Sequence, residues 1–123
     1  MKKFLTIICA LFLFGCSENK PIFSGEYQLQ NYPEGAEITL SFENYDFAGS
    51  SGVNRYFGSF VHTETDIKFN NIGMTMMMGP KDAMETEQKY LRTLEDVRNY
   101  TYKDGILTLK NSNGLELVFK KIK

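Results

Sequence analysis

The sequence predicts an α+β domain in which one helix accompanies several short antiparallel strands. Several segments alternate apolar and polar residues, which is typical of strands with one buried face. A single stretch that starts near Pro80 has the apolar spacing of an amphipathic helix. Near the C-terminus, two turn signals separate strand-like runs, which indicates a closing antiparallel meander.

Length and composition are those of one globular domain. The 123 residues leave room for a targeting segment and a single core, and 42% hydrophobic with 24% charged residues are ordinary values. Without Lys2 and Lys3, which lie in the targeting segment, 12 Lys and Arg residues stand against 15 Asp and Glu residues. Because affinity for nucleic acid depends on clustered basic residues, this balance argues against a nucleic-acid partner.

The N-terminus has the features of an export signal. Lys2 and Lys3 form a positive start, and an uncharged apolar stretch follows at residues 4–14. This stretch is too short for a membrane-spanning helix, which needs about 17–25 residues. The sequence therefore predicts that the chain is exported.

The end of this signal predicts a lipid anchor. The residues Leu13-Phe14-Gly15-Cys16 resemble the bacterial lipobox, although position 14 usually holds a smaller residue. Three outcomes are open for Cys16: lipidation after cleavage before it, cleavage nearby to give a secreted protein, or retention of the apolar stretch as an anchor. We expect lipidation, since several acyl chains hold a protein durably at a membrane. The expected divisions are a signal peptide at 1–15, a lipidated tether at 16–24 and one domain at 25–123.

The same processing sets the expected location and the cysteine chemistry. Ser17 is not the Asp that, by resemblance to enterobacterial sorting, retains lipoproteins at the inner membrane, so the outer membrane is the predicted location. Cys9 leaves with the signal peptide, and the sulfur of Cys16 is consumed by the lipid. We therefore expect no disulfide, thiolate nucleophile or zinc-thiolate site in the mature protein.

The first half of the domain is predicted to consist of strands. The alternating segments are residues 25–30, 37–43, 56–62 and 66–69. In the second of these, Ile38, Leu40 and Phe42 fall on one strand face. The small residues 49–52 predict a loop between the second and third segments.

The second half is predicted to be a helix followed by the meander. Pro80 suits a first helical position. The residues expected on the buried face are Met84, Gln88, Leu91, Leu94 and Val97. The acidic residues of the helix, Glu87 among them, are interspersed with Lys and Arg, which predicts a solvated face with ion pairs. Strand-like runs then flank turns at residues 103–105 and 113–114.

Two blocks of the sequence combine glycine, polar and aromatic residues at fixed spacing. The first is Ser51-Gly52-Val53-Asn54-Arg55-Tyr56-Phe57-Gly58. The second is Thr75-Met76-Met77-Met78-Gly79-Pro80, followed by Met84, Glu87, Tyr90-Leu91, Leu94 and Tyr100. In order and spacing they resemble the Gly-Cys-Asn-x-aromatic-x-Gly and Thr-x-Met motifs of the META domain, or HslJ-like, family of bacterial envelope proteins. Val53 and Gly79 stand where many members have cysteines, so a disulfide between these positions is absent.

The resemblance implies a compact α+β domain in which a strongly curved, barrel-like antiparallel sheet packs on the one helix. It implies no reaction, because the family's associations with heat shock, motility and virulence name none. The residues that match the motifs, and are therefore the candidate binding or family-motif residues, are Gly52, Asn54, Arg55, Tyr56, Gly58, Thr75, Met76 and Glu87.

The first block has two interpretations. Asn54 and Arg55 are candidates for a turn that recognises a ligand. In the structural interpretation, Gly52 and Gly58 supply unusual backbone angles, Asn54 bonds the backbone of its own loop, and Tyr56 or the next aromatic residue enters the core. We favour the structural interpretation.

Other candidate groups give weaker signals. Five of the six methionines surround the start of the helix, at positions 74, 76, 77, 78 and 84. Thioethers are soft ligands for Cu(I), but they also fill cores or line apolar grooves, and we favour core or groove. His62, the only histidine, is expected at a surface or satisfied strand position rather than as a general base. The sequence contains no Gly-x-Ser-x-Gly elbow and no phosphate loop.

Together these observations predict a non-catalytic, lipid-anchored envelope protein without a metal or other cofactor. We expect it to act through binding or assembly, in envelope stress tolerance or in the handling of exported proteins. The alternative is a binding module for a lipophilic small molecule or peptide, in a cleft between sheet and helix lined by aromatic residues and methionines. An enzyme is least favoured, because no set of catalytic groups can be assembled from these residues.

Overall fold

The computed structural model describes residues 21–32 and 37–123, which form eight strands and one helix. In chain order these are β1 Gly25–Leu29, β2 Thr39–Glu43, β3 Asp46–Ser50, β4 Arg55–His62, β5 Ile67–Met74, α1 Lys81–Glu95, β6 Val97–Lys103, β7 Ile106–Asn111 and β8 Glu116–Lys121. The predicted α+β class is confirmed. The expected signal peptide, Cys16 and the tether up to residue 20 lie outside the described residues.

All eight strands belong to one antiparallel sheet that curls into a half-barrel. The strand order is β5-β4-β3-β2-β1-β8-β7-β6, so β5 and β6 are its edges. The two edges meet at a bridge between Asp66 and Asn99. There the Asn99 Nδ2 donates to Asp66 Oδ1 over 2.8 Å, and the Tyr100 N–H donates to the Thr65 carbonyl over 2.9 Å. The strongly curved sheet that the resemblance implies is thereby confirmed.

The half-barrel has two unlike ends. At one end, which we call the helix end, α1 packs against β5 and β7 near the β3–β4 turn, and Asp96, the residue after α1, contacts the β7–β8 turn. At the other, which we call the open end, lie the β2–β3, β4–β5 and β6–β7 turns. Residues 21–24 and 122–123 lie at this open end too, because β1 begins and β8 finishes there.

The core follows from the alternation seen in the sequence. Ile38, Leu40 and Phe42 are buried, as predicted, while Thr39 and Ser41 between them are half-buried. Burying a side chain of this size contributes about 1.5–3 kcal/mol, and the core is unusually rich in aromatic rings. The turn between β6 and β7 is also confirmed, with Asp104 and Gly105 both in the left-handed region at φ 52° and 81°.

The helix exists, but the predicted buried face was only partly correct. Its buried residues are Glu87, Tyr90, Thr93 and Leu94. Gln88 is exposed and Val97 already belongs to β6. Pro80 precedes the helix as its N-cap residue. The buried face differs from the predicted one because it includes Glu87 and Tyr90, whose polar groups form hydrogen bonds inside the fold.

Strand β3 was not predicted. Its last two residues, Gly49 and Ser50, were assigned to a loop because they are small. They form a strand because β2 and β4 pair with β3 on both sides. The backbones approach so closely that a Cβ on Gly49 would lie 2.1 Å from the Thr39 carbonyl oxygen. The loop is therefore shorter than predicted.

The folded part begins before the expected boundary at Gly25. Phe23, which the sequence analysis assigned to the tether, is fully buried. Its ring lies 4.8 Å from that of Phe42 and 4.9 Å from that of Tyr100, so it fills the core at the open end. Among the described residues, no helix is both long and apolar enough to cross a membrane.

Candidate functional site

A buried carboxylate organises the helix end. Glu87 has no solvent-accessible surface, although it is an acidic residue of a helix with exposed faces. Its Oε1 accepts hydrogen bonds from the Ser51 hydroxyl at 2.6 Å and from the Asn54 N–H at 2.7 Å. Its Oε2 accepts one from the Asn54 Nδ2 at 2.9 Å. The helix is therefore bonded directly to the β3–β4 turn.

The Asn54 side chain extends this network to a third segment. Its Oδ1 accepts hydrogen bonds from the Thr75 hydroxyl at 2.8 Å and from the Met77 N–H at 2.6 Å. Its Nδ2 also lies 3.2 Å from the Met77 carbonyl. We call this set the Glu87 network: Ser51, Asn54, Thr75, Glu87 and the backbone of Met77. It joins the β3–β4 turn, the linker from β5 to α1, and α1 itself.

Hydrogen bonding, rather than a neighbouring positive charge, keeps Glu87 ionised. Burial raises the pKa of Glu87, but hydrogen bonds from Ser51, from the Asn54 side chain and from the Asn54 and Val53 backbone outweigh burial and leave the pKa lowered. A carboxylate that accepts several hydrogen bonds is stabilised in its charged form. The network therefore holds a negative charge inside the fold.

Two tyrosines lie beside the network in the core. The Tyr56 hydroxyl donates to the Thr39 carbonyl at 2.6 Å and accepts a hydrogen bond from the Tyr90 hydroxyl. Both rings are fully buried, and burial raises the pKa of each hydroxyl above its ordinary value. These hydroxyls therefore act as hydrogen-bonding groups that connect β4, β2 and α1.

The structure brings half of the predicted motif residues together. Asn54 bonds both Thr75 and Glu87, and Gly52 lies in the same turn as Asn54 at φ 112°. Tyr56 enters the core, as the structural interpretation predicts. That interpretation was wrong on two points. The Asn54 side chain bonds the linker and the helix rather than its own loop, and Gly58, unlike Gly52, does not have a positive φ.

The side chains of the remaining motif residues lie outside the network. Arg55 is exposed and contributes its backbone, which pairs with Thr75. Gly58 lies at a register shift in β4, where a Cβ would stand 2.7 Å from the Asn70 carbonyl oxygen and from the Phe47 ring. Met76 is 87% exposed and makes no side-chain hydrogen bond in the network.

Two predictions about residue environment were wrong. Glu87 does not lie on a solvated face, because its hydrogen bonds replace water. Of the two favoured interpretations of the methionines, core or groove, the core is wrong for Met76, Met77 and Met78, since they are 87%, 54% and 87% exposed on a linker that crosses the surface. Met74, by contrast, is half-buried and packs against the core.

Sequence reasoning missed two members of the network. Ser51 belongs to the first block but carried no assigned role, and Met77 contributes only backbone atoms, which residue type does not reveal. For Glu87, the sequence did contain a signal of its burial: Glu87, Tyr90 and Leu94 have the i, i+3, i+7 spacing of one helix face.

All groups of the network are engaged with one another. Among the described residues, every buried side-chain nitrogen or oxygen has a hydrogen-bond partner. In the same part of the chain, no three His, Cys, Asp or Glu side chains are grouped as metal ligands. The role of this arrangement is therefore structural: its hydrogen bonds join three segments of the chain around one buried charge.

The open end carries a cleft of about 600 Å³. Its lining residues are Pro21, Ile22, His62, Thr63, Glu64 and Tyr100. The His62 ring packs on Phe23 at 5.3 Å, and its Nδ1 lies 3.2 Å from the Thr63 carbonyl oxygen. This cleft is not where the sequence predicts one, since it lies away from the interface between sheet and helix, where Tyr90 and Leu94 are buried.

Comparisons with known proteins agree with this fold. The family model of the META domain matches residues 21–123. A protein from Burkholderia xenovorans, solved by NMR, is 23% identical and superposes with a TM-score of 0.67, over 81% of this chain and 83% of that one. A crystal structure of a duf4847 family protein from Bacteroides vulgatus is 14% identical, with a TM-score of 0.58 over 83% of this chain and 96% of that one. No curated protein matches the sequence.

Proposed function

The chain belongs to the META domain family, and from that premise we propose that it is a non-catalytic protein of the cell envelope, anchored by lipid on Cys16, that acts by binding. The proposed lipid anchor is supported by the N-terminal sequence. Leu13-Phe14-Gly15-Cys16 follows a short apolar stretch that begins after Lys2 and Lys3. Several acyl chains on one cysteine give durable attachment where a single chain does not.

The Glu87 network supports a binding protein rather than an enzyme. A catalytic acid or base must reach the proton it transfers, whereas the Glu87 carboxylate is enclosed and bonded to Ser51 and Asn54. Asn54, Thr75 and Glu87 therefore support the fold. Under this proposal, the surface of the domain binds other exported proteins, in envelope stress tolerance or in their handling, and Ser17 favours the outer membrane.

Fractionation of a Gram-negative host that expresses the chain tests the anchor. The full chain is expected in the outer-membrane fraction, and the Cys16→Ser variant, which cannot take the lipid, is expected to be absent from that fraction. Cys9→Ser is the matched control, because it removes the other cysteine but leaves position 16 intact. Equal amounts of the unchanged chain and the Cys16→Ser variant in the outer-membrane fraction would reject the anchor.

The open-end cleft favours a second candidate, a binding module for a lipophilic molecule. Its volume of about 600 Å³ lies within the range of small-ligand sites, and apolar side chains form much of its wall. An apolar fluorescent dye should bind the protein, and Ile22→Arg at the cleft should reduce that binding. Leu115→Arg, at the helix end, is the control. Equal dye binding by both variants would reject the cleft as the site.

A further inference from the structure

Four exposed apolar side chains lie at the open end of the half-barrel, and another group, Met76, Met78 and Leu115 among them, is exposed at the helix end. Ile22 is 72% exposed, Tyr45 52%, Ile122 47% and Ile106 36%. Tyr45 is in the β2–β3 turn and Ile106 begins β7 directly after the β6–β7 turn. These four residues come from four separate segments of the chain, so only the fold brings them to one end.

Backbone hydrogen bonds hold these segments together. The Ile122 N–H donates to the Glu26 carbonyl at 2.8 Å, so the C-terminal residues are paired with the start of β1 and are not a free tail. The Lys121 N–H donates to the Gly105 carbonyl at 2.8 Å, which joins the β6–β7 turn to the same place. The Phe60 N–H donates to the Tyr45 carbonyl at 3.0 Å. The exposed apolar side chains therefore project from a fixed surface.

The position of Cys16 indicates what this surface faces. Only four residues lie between Cys16 and Pro21, the first described residue, and over these five steps a fully extended chain covers at most about 3.3–3.6 Å per residue. A lipid on Cys16 therefore keeps Pro21 within roughly 17 Å of the membrane surface. Because Pro21 lies at the open end, such a lipid would tether the domain by this end.

The charges at the open end do not select anionic lipids. Lys120, Lys121 and Lys123 are exposed there, but Glu43, Asp46, Glu64 and Asp104 are exposed in the neighbouring turns. Positive and negative charges in similar numbers give little net attraction to an anionic surface. Isoleucine and tyrosine side chains, in contrast, are stabilised at the boundary between headgroups and acyl chains.

We propose that the open end is a membrane-docking surface, in which Ile22, Tyr45, Ile106 and Ile122 contact the interfacial region of the phospholipid bilayer. This inference rests on the proposed lipid anchor at Cys16. It adds a fixed orientation, since the domain stands on its open end and presents α1 and the Glu87 network to the surrounding solution.

Site-specific labels on the lipidated protein test this orientation. Under the proposed processing the mature protein has no free thiol, so one introduced cysteine takes one environment-sensitive fluorophore. The positions are Tyr45→Cys and Ile122→Cys at the open end, with Leu115→Cys at the helix end as the matched control; all three native side chains are exposed. Each protein is inserted into phosphatidylcholine vesicles that contain a lipid-attached quencher, and the acyl mass on Cys16 is measured on the same sample.

The expected result is blue-shifted emission and strong quenching at positions 45 and 122, with neither effect at position 115. The contrast should persist at high salt, because apolar contact rather than charge produces it. Equal quenching at the three positions of an acylated protein would overturn the docking surface and leave the anchor standing. Absence of acyl mass would overturn the anchor, and the docking inference with it.

Discussion

Replacement of Glu87 by alanine is the most informative single perturbation of the fold. The Asn54 N–H and Nδ2 would lose their acceptor in a site from which water is excluded, whereas the Ser51 hydroxyl can turn to the Asn54 carbonyl at 3.0 Å. Each buried donor left unpaired costs about 1–3 kcal/mol. With the cavity left by the side chain, we expect the free energy of unfolding to fall by about 3–5 kcal/mol.

Urea unfolding followed by far-ultraviolet circular dichroism measures this loss, since the chain has no tryptophan to report by fluorescence. Glu85→Ala is the control, because Glu85 is exposed on the same helix and should change stability by no more than about 0.5 kcal/mol. Domains of this size have a total stability of about 5–15 kcal/mol, so the effect is easily resolved. A Glu87→Ala variant as stable as Glu85→Ala would refute the role of the network.

The dependence on pH separates the charge of Glu87 from its shape. Because the pKa of Glu87 is lowered in the folded state, the unfolded chain binds its proton first, and the stability that the charge provides is lost as pH falls below about 4.5. Glu87→Gln keeps the shape but carries no charge. The stability gap between the unchanged protein and Glu87→Gln should therefore be widest near neutral pH and narrow on acidification. A gap that is constant over this range would contradict the lowered pKa.

Three further substitutions test other parts of the structure by the same unfolding measurement. Gly58→Ala should lower the free energy of unfolding by about 1–3 kcal/mol, because the added Cβ meets a backbone oxygen. Gly73→Ala should lower it less, since the added Cβ meets the movable, half-exposed ring of Phe57. Equal losses would contradict the close packing at the register shift. Phe23→Ala should lower the free energy of unfolding by about 3–5 kcal/mol. A loss below about 1 kcal/mol would indicate that residues 21–24 belong to the tether and not to the folded domain. Met76→Ala should change stability by less than about 0.5 kcal/mol, and a larger loss would indicate that the Met76 side chain packs in the core.

The parts of the fold that depend on local pattern could be predicted from the sequence. The alternation of Ile38, Leu40 and Phe42 identifies a strand without knowledge of its neighbours, and the glycine in the β6–β7 turn identifies a hairpin. Strand β3 could not be recognised in this way. Gly49 and Ser50 have weak strand preferences, and they are held in a strand because β2 and β4 lie on either side.

The burial and bonding of the site residues depend on residues far away in the chain, so they could be predicted only in part. Glu87 is buried because donors at Ser51 and Asn54, far away in the chain, replace its water. The apolar character of Met76 and Met78 indicated the core or a groove, yet the linker that carries them is fixed at Met77 by its backbone and crosses the surface. The motif residues were found by resemblance, but their mutual bonding required the structure.

The mass of the mature N-terminal peptide tests the proposed lipid anchor most directly. The protein is purified from membranes of a Gram-negative host, digested, and analysed by mass spectrometry. We predict a peptide that begins at Cys16 and carries acyl chains, and we predict that it is absent from the Cys16→Ser variant. An unmodified peptide beginning at Cys16, or a mature N-terminus at another residue, would contradict the lipid-anchored protein proposed above.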